Sequence, residues 1–425
     1  MSSLTPLVDL IVRNARILED ACAASGAKVP DLDTPFHPAS EAFRKDPLAG
    51  PALQLTATVL SPPLTLFTAA CGYVKSAALR VALEAGVAEI LREAGPQGLH
   101  ADDMAKIDGL DPQKLARFLR LLATNHIFRE VAPDVFATNN CISTLLDTLK
   151  PRKEIIADMD EQYKAGGYAW ETLSDPVDGV SGEPDGTAMG RAFGLRETTW
   201  NMLAGPEHSF RSRRFNIGMS AVTSLQPADV IMTVFDWKFF PAGSLVVDVG
   251  GGIGAATRSI AENCPESKIV LQDLPGVMDD AKKLLRTAAS ARHCGLSAQQ
   301  VLHDWSDPYS AKIIEHLRAA ASEMTKLVIM DNVLSFACRE SSDEGLNGIP
   351  GTVPKEAPAP LLANYGAANE FGYTPDLMMF FGLNAQERNI RQFQNLLQST
   401  GWTQLTVVRK PSHGIMTNAV AAMPL

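Results

Sequence analysis

Apolar positions spaced three and four apart dominate the first third of the chain. Leu7, Leu10, Ile11 and Leu18 predict an amphipathic helix over residues 1–28. Residues 29–50 (VPDLDTPFHPASEAFRKDPLAG) lose that period and gather Pro and polar side chains, which predicts a linker or extended arm. Helical spacing resumes near Leu64 and holds to about Leu122. Within it, AALRVALEAGVAEILREAG reads as a helix pair, and GLHADDMAKIDGLDPQKLARFLRLLATN as helix, Gly-Leu-Asp turn and long helix. HIFREV and VFATNN are short extended runs on either side of Ala132–Pro133–Asp134, a turn signal. Helix, turn, helix and hairpin together make a winged helix.

The middle of the chain opens with a Gly/Asp/Pro loop at 174–188, followed by helical spacing through Phe215, Met219, Val222, Val230 and Met232. The pattern then changes. LVVDVGGGIGAATRSIAENCP reads as a buried strand, a glycine turn and a helix; KIVLQDLPG and KLVIMDNVL are further strands. Strands alternating with helices predict a parallel, doubly wound α/β sheet. Residues 335–363 form a long Pro/Gly-rich insertion, and QLTVVRKPSHGIMTNAVAAM predicts an antiparallel strand pair that closes the sheet. The segments are therefore 1–54 (helix and arm), 55–160 (winged helix), 161–236 (helical connector) and 237–425 (sheet domain).

Composition narrows the use of these parts. Hydrophobic residues make up 46% and charged residues 20% of 425, which is ordinary for a globular chain with a real core. With 38 basic and 48 acidic residues the formal charge is −10, so nucleic acid and anionic membranes are poor partners at long range. No run approaches the ~18 uninterrupted apolar residues of a membrane helix, and the start lacks the basic, then apolar, pattern of a secretory signal. Cys22, Cys71, Cys141, Cys264, Cys294 and Cys338 form no CxxC pairs, so free thiols, no zinc and a cytoplasmic location are expected. A winged helix serves DNA reading or dimerisation. Lys114, Arg117 and Arg120 stand among leucines and read as a solvated face, which favours dimerisation.

Candidate chemistry centres on Gly250–Gly251–Gly252–Ile253–Gly254, between a strand and a helix, where the backbone turns sharply and approaches a ligand closely. Gly250, Gly252 and Ala255 also satisfy the GxGxxA of a dinucleotide dehydrogenase. Asp248 argues against that use, because a carboxylate there opposes a pyrophosphate and suits an ammonium-bearing ligand. Asp273, at the end of the next strand, is placed to accept ribose hydroxyls. Helix capping or turn formation are the structural alternatives for both acids.

VVDVGGGIGAA, IVLQDLPGV, HDWSD, KLVIMDNVL and NAQERN, in this order, resemble the plant and fungal O-methyltransferases that act on phenolic and other secondary metabolites; KLARFLRLLATNHIFREV and VFATNN match as well. The resemblance covers roughly residues 55–425. It implies an N-terminal all-helical, winged-helix dimerisation domain, a Rossmann-like catalytic domain binding S-adenosylmethionine, a homodimer and no metal. It places the cofactor at Asp248, Gly250, Gly252, Gly254, Asp273 and Leu274. It makes His303 the base, flanked by Asp331 and Glu387, and sets Phe215 and Met219 beside the acceptor. Met378 and Met379 are candidates from the other side. A histidine takes a phenol proton near neutral pH, and a carboxylate on its second nitrogen fixes the tautomer. Otherwise Asp331 caps a turn, Glu387 pairs with Arg388 at the surface, and the four pocket residues pack helix cores.

One interval departs from the family. Asp273 and His303 lie only 30 positions apart, where a helix, two strands and connections need roughly 40–50 residues. No β-branched alternating run appears in RTAASARHCGLSAQQ, and Gln299 and Gln300 stand where the family has a basic residue. A gap beside the central strand would leave buried backbone groups unpaired, so Ser297–Leu302 is expected to enter the sheet as a short replacement strand. The shortened segment 284–302 also leaves two alternatives: non-transfer chemistry such as rearrangement or cyclisation on the same fold, or an inactive dimer.

Overall fold

The structure is a computed structural model that describes residues 4–26, 28–29, 46–139, 142, 146, 153–224, 230–237, 240–252, 254–273, 277–278, 295–339, 356–409 and 418–424. The chain divides into two compact units. The first holds 1–164, 203–223 and 365–368; the second holds the remainder.

The first unit begins with α1 (Leu4–Ser25), as its period predicts, packed on α2 (Asp46–Val59). Helix thus resumes earlier than Leu64, and the boundary expected at residue 54 falls inside α2, which tolerates Pro51 in its interior. Next come α3 (Pro62–Ala70), α4 (Gly72–Glu84), α5 (Val87–Ala94), strand β1 (Leu99–His100), α6 (Ala101–Asp108) and α7 (Pro112–Thr124). Gly109, at φ +75°, ends α6. Asp111 caps α7 by accepting from the Lys114 N–H at 2.9 Å, and Pro112 fills the first turn, where a missing N–H costs nothing. β2 (Phe128–Ala132) and β3 (Val135–Thr138) form the expected hairpin, and the small sheet runs β1-β3-β2. This is the winged helix.

The leucine-rich helices do not wait for a partner. Ala78, Ala82, Leu83, Val87 and Leu91 pack with Leu115, Leu119 and Leu122 in the unit's own core. Exposed large apolar side chains run from α2 to the start of α4, at Leu53, Val59, Leu60, Leu64, Leu66, Phe67 and Tyr73, with others on α1 (Leu4, Val8, Val12 and Ile17). Arg120 is engaged by Glu130 and Asp134, at 2.8 and 2.7 Å.

Among the described residues, the second unit carries a six-stranded sheet in the order β10-β11-β7-β6-β4-β5. β4 (Leu245–Val249), β5 (Lys268–Gln272), β6 (Gly295–Gln299) and β7 (Leu327–Met330) are parallel; β10 (Trp402–Arg409) and β11 (Asn418–Pro424) are the antiparallel closing pair. All four residues of β7 are buried. Leu327 and Ile329 join one core with Ile314, Phe393 and Trp402; Val328 and Met330 join another with Trp237, Val246 and Ile260. That two-sided burial is why β7 is uniformly apolar instead of alternating. Asp331 ends β7, so the run KLVIMDNVL is split, and β8 (Val333–Leu334) pairs separately with β9 (Arg388–Asn389).

A strand does enter the sheet from the shortened interval, two residues earlier than expected. β6 pairs with β4 on one side and β7 on the other, so the central strand is not left unpaired. Val301 and Leu302 lie beyond it: Gln300 takes φ +53° and the chain turns away. Residues 279–294 lie outside the described residues.

Candidate active site

The parallel strands deliver their carboxyl ends to one edge, with the glycine turn after β4, Asp273 after β5, Val301–His303 after β6 and Asp331 after β7. Open α/β sheets bind ligands at this edge, at the point where strand order reverses, here between β4 and β6.

The glycine turn is a cradle that side chains would fill. Gly250, Gly252 and Gly254 have φ of +65°, +57° and +89°. A Cβ on Gly250 would stand 2.5 Å from Val301 Cγ2, and one on Gly251 would stand 2.4 Å from Leu271 Cδ1. Asp273 accepts from the Gly252 N–H at 2.8 Å. Asp248 is fully buried and accepts from the Thr257 hydroxyl, so it braces the turn from beneath. Leu274 lies outside the described residues. These groups fit a nucleoside cofactor: bare backbone at the helix entrance and an acid beside it.

Val301 also joins this turn to the base. His303 sits in a short turn of 3₁₀ helix, Leu302–Asp304, and is buried. Its Nδ1 lies 2.8 Å from Glu387 Oε1, and its Nε2 lies 3.4 Å from Asp304 Oδ1. Burial pulls the imidazole pKa down. The charge of Asp304, the hydrogen bond and charge of Glu387 and the charge of Asp331 outweigh that and raise it to about 10. Asp304 and Asp331 are themselves pushed up by burial, against the pull of His303, to about 6 and about 7.

Three acids thus surround the base, in unequal ways. Glu387 makes the hydrogen bond. Asp304, which the sequence did not single out although it adjoins His303 in HDWSD, faces the other nitrogen. Asp331 is 1% exposed and neither of its oxygens has a hydrogen-bond partner, so it acts on the imidazole through charge alone. Arg388 does not pair with Glu387 at the surface: it is buried and bonded to Asp307 and to the His303 turn. Among the described residues no group of three or more His, Cys, Asp or Glu side chains is arranged to hold a metal ion. Cys22, Cys71 and Cys338 are free thiols.

The pocket candidates divide between the units. Met378 and Met379 lie on the helix Thr374–Leu383, which packs against the His303 turn. Phe215 and Met219 lie on the helix Ser209–Ser224, in the first unit.

Comparison with known proteins agrees with this assembly. Residues 170–349 match the O-methyltransferase domain and residues 67–148 the O-methyltransferase dimerisation domain. A 4-O-methyltransferase 1 of Phanerochaete chrysosporium (strain RP-78) is 40% identical over 471 residues, covering 100% of this chain and 99% of that protein. That alignment exceeds the 425 residues here by 46, so at least 46 of its positions have no counterpart in this chain. OxaC, solved with S-adenosylhomocysteine and oxaline, has a TM-score of 0.69 at 20% identity, covering 99% of each chain. A structure described as a pericyclic reaction enzyme has a TM-score of 0.67 at 17% identity, covering 98% of this chain and 100% of that one. These two structures share the fold.

Proposed function

Because the chain belongs to the S-adenosylmethionine-dependent O-methyltransferases of secondary metabolism, we propose that it methylates a hydroxyl of a phenolic or related metabolite. It does so as a cytoplasmic homodimer, with His303 as general base and no metal. The observation that carries this is the buried His303–Glu387 pair at the carboxyl edge of the sheet, next to the glycine turn.

With Nδ1–H donated to Glu387, the lone pair stands on Nε2, and this nitrogen takes the proton of the acceptor hydroxyl. A phenol has a pKa of about 10, and His303 is raised to about 10, so proton transfer between them is close to thermoneutral. Glu387 and the charges of Asp304 and Asp331 stabilise the imidazolium that forms. Gly250, Gly252, Gly254 and Asp273 hold the cofactor, with Asp248 bracing the turn. When bound, the cofactor would supply an electrophilic methyl on a sulfonium. Met378 and Met379 present adaptable surface to a flat acceptor.

His303→Ala tests the assignment. Turnover on a panel of catechol, guaiacol and resorcinol is expected to fall about 10²–10⁴-fold, with S-adenosylmethionine affinity by calorimetry little changed. An unchanged rate removes His303 from the mechanism. S-adenosylhomocysteine released in step with methylated product separates transfer from rearrangement or cyclisation. Absence of cofactor binding would point to an inactive dimer.

A further inference from the structure

Arg388 follows Glu387 directly in the chain and is 1% exposed. Its guanidinium works at both ends of the turn that carries His303. Nη1 donates to the Leu302 carbonyl at 2.7 Å, immediately before His303. Nη2 donates to the Trp305 carbonyl at 2.8 Å, two residues after it, and to Ser310 Oγ at 3.0 Å. Nε donates to Asp307 Oδ1 at 2.9 Å. Ser310, fully buried, shares its one hydroxyl proton between the Leu302 and Trp305 carbonyls, each 3.2 Å from Oγ.

Stability alone does not explain a buried guanidinium here. Asp307, the anion it bonds, has a side chain 54% exposed, and buried Asp331 acts on the guanidinium through charge without a hydrogen bond; taking a cation out of water can cost more than such pairs return. An apolar side chain would fill the space as well. What an apolar residue cannot do is hold two carbonyls and a hydroxyl in one rigid plane, which is the property that separates Arg from Lys.

Resting on the assignment of His303 as base, we propose that Arg388 is its positioning residue: it ties the Leu302–Ser310 segment to the start of β9, directly after Glu387, and so sets the Glu387–Nδ1 contact. The Glu387–Arg388 dipeptide acts as one unit, the acid meeting the imidazole and the guanidinium gripping the backbone on either side of it. The groups facing His303 are Asp304 on its own turn, Asp331 after β7 and Glu387 before β9. Asp376, from the helix Thr374–Leu383, holds the Glu387 N–H at 2.9 Å. Of these, the contact made by Glu387 is the one that Arg388 controls.

The test uses two substitutions that leave the local charge unchanged, Arg388→Lys and Ser310→Ala. His303 is followed by NMR of histidine-labelled protein, its signal assigned by its loss in His303→Gln. Arg388→Lys is expected to loosen the Glu387 contact and move the His303 titration down by about one pH unit. Turnover on the phenolic panel should fall about 10–100-fold, as for a misplacement of an ångström or less, while calorimetric cofactor affinity stays the same. Ser310→Ala should move the titration in the same direction by less, and it decides the matter if Arg388→Lys does not fold. A His303 titration unmoved in the folded variants overturns the proposal, whatever happens to thermal stability. The titration needs no acceptor, so it stands even if His303→Ala shows that another group is the base.

Discussion

At the scale of single residues, the site is a balance of charge inside the second unit. His303, Asp304 and Asp331 all have pKa values raised above their ordinary ones, to about 10, 6 and 7. For each, the folded state holds its proton more tightly than the unfolded chain. Their contribution to stability is therefore present below the unfolded values, about 6.5 for His and 3.9 for Asp. It is lost as pH rises through the folded ones. The thermal midpoint is expected to drop by a few degrees between pH 6 and pH 9, a change that differential scanning fluorimetry detects; a midpoint that climbs over this range contradicts the site's electrostatics. Turnover should move oppositely, rising with pH as His303 loses its proton. Sequence reasoning named His303, Asp331 and Glu387 but could not rank them, because His303 and Glu387 are 84 positions apart and only the folded backbone sets their distance. It considered Arg388 only as a possible surface partner of Glu387, the alternative to a catalytic Glu387, since nothing in NAQERN marks burial.

At the scale of elements, β6 is the piece most exposed to damage. It is five residues long, hydrogen-bonded on both sides, and registers Ala298 against Val249 in β4 and Ile329 in β7. Ala298→Pro removes a donor from a central ladder, where proline is not accommodated and a buried carbonyl is left unpaired, and is expected to cost about 1–3 kcal/mol. Urea denaturation measures this; an unaltered midpoint would mean that β6 is not a central strand. Existence of the strand was legible from the need to pair β4, and its position was not. GLSAQ has little β-branched content, and its place is fixed by the partners on either side. The winged helix was legible throughout because its signals are local: the Asp111 cap, Pro112 at the first turn, Gly109, and the Pro-Asp turn between β2 and β3.

At the scale of the whole molecule, the apolar residues that matter for assembly are those the first unit leaves outside its core. Leu66 and Phe67 on α3 are 73% and 67% exposed, in a segment that runs into the matched dimerisation domain. Exposed patches of this kind mark interaction surfaces. The homodimer is expected to form through α2 and α3. Leu66→Asp with Phe67→Asp should then give a monomer by light scattering at micromolar concentration, with the helical circular dichroism of the first unit retained. A double variant that remains dimeric would move the interface elsewhere.

The sequence by itself determined what is written within a few turns of chain: the helical period of the first unit, the strand, glycine turn and helix from Leu245 to Asn263, the uniformly apolar β7 and the antiparallel closing pair. These follow from local periodicity, from backbone that only glycine adopts freely, and from caps that need one side chain. Tertiary structure alone decided which apolar helices face inward, where β6 entered the sheet, that Gly250 must stay bare because Val301 stands against it, and that Arg388 lies under the His303 turn. Each of these depends on segments brought together from afar, and a carboxylate or guanidinium is the same letter in the sequence whether it meets water or a buried imidazole.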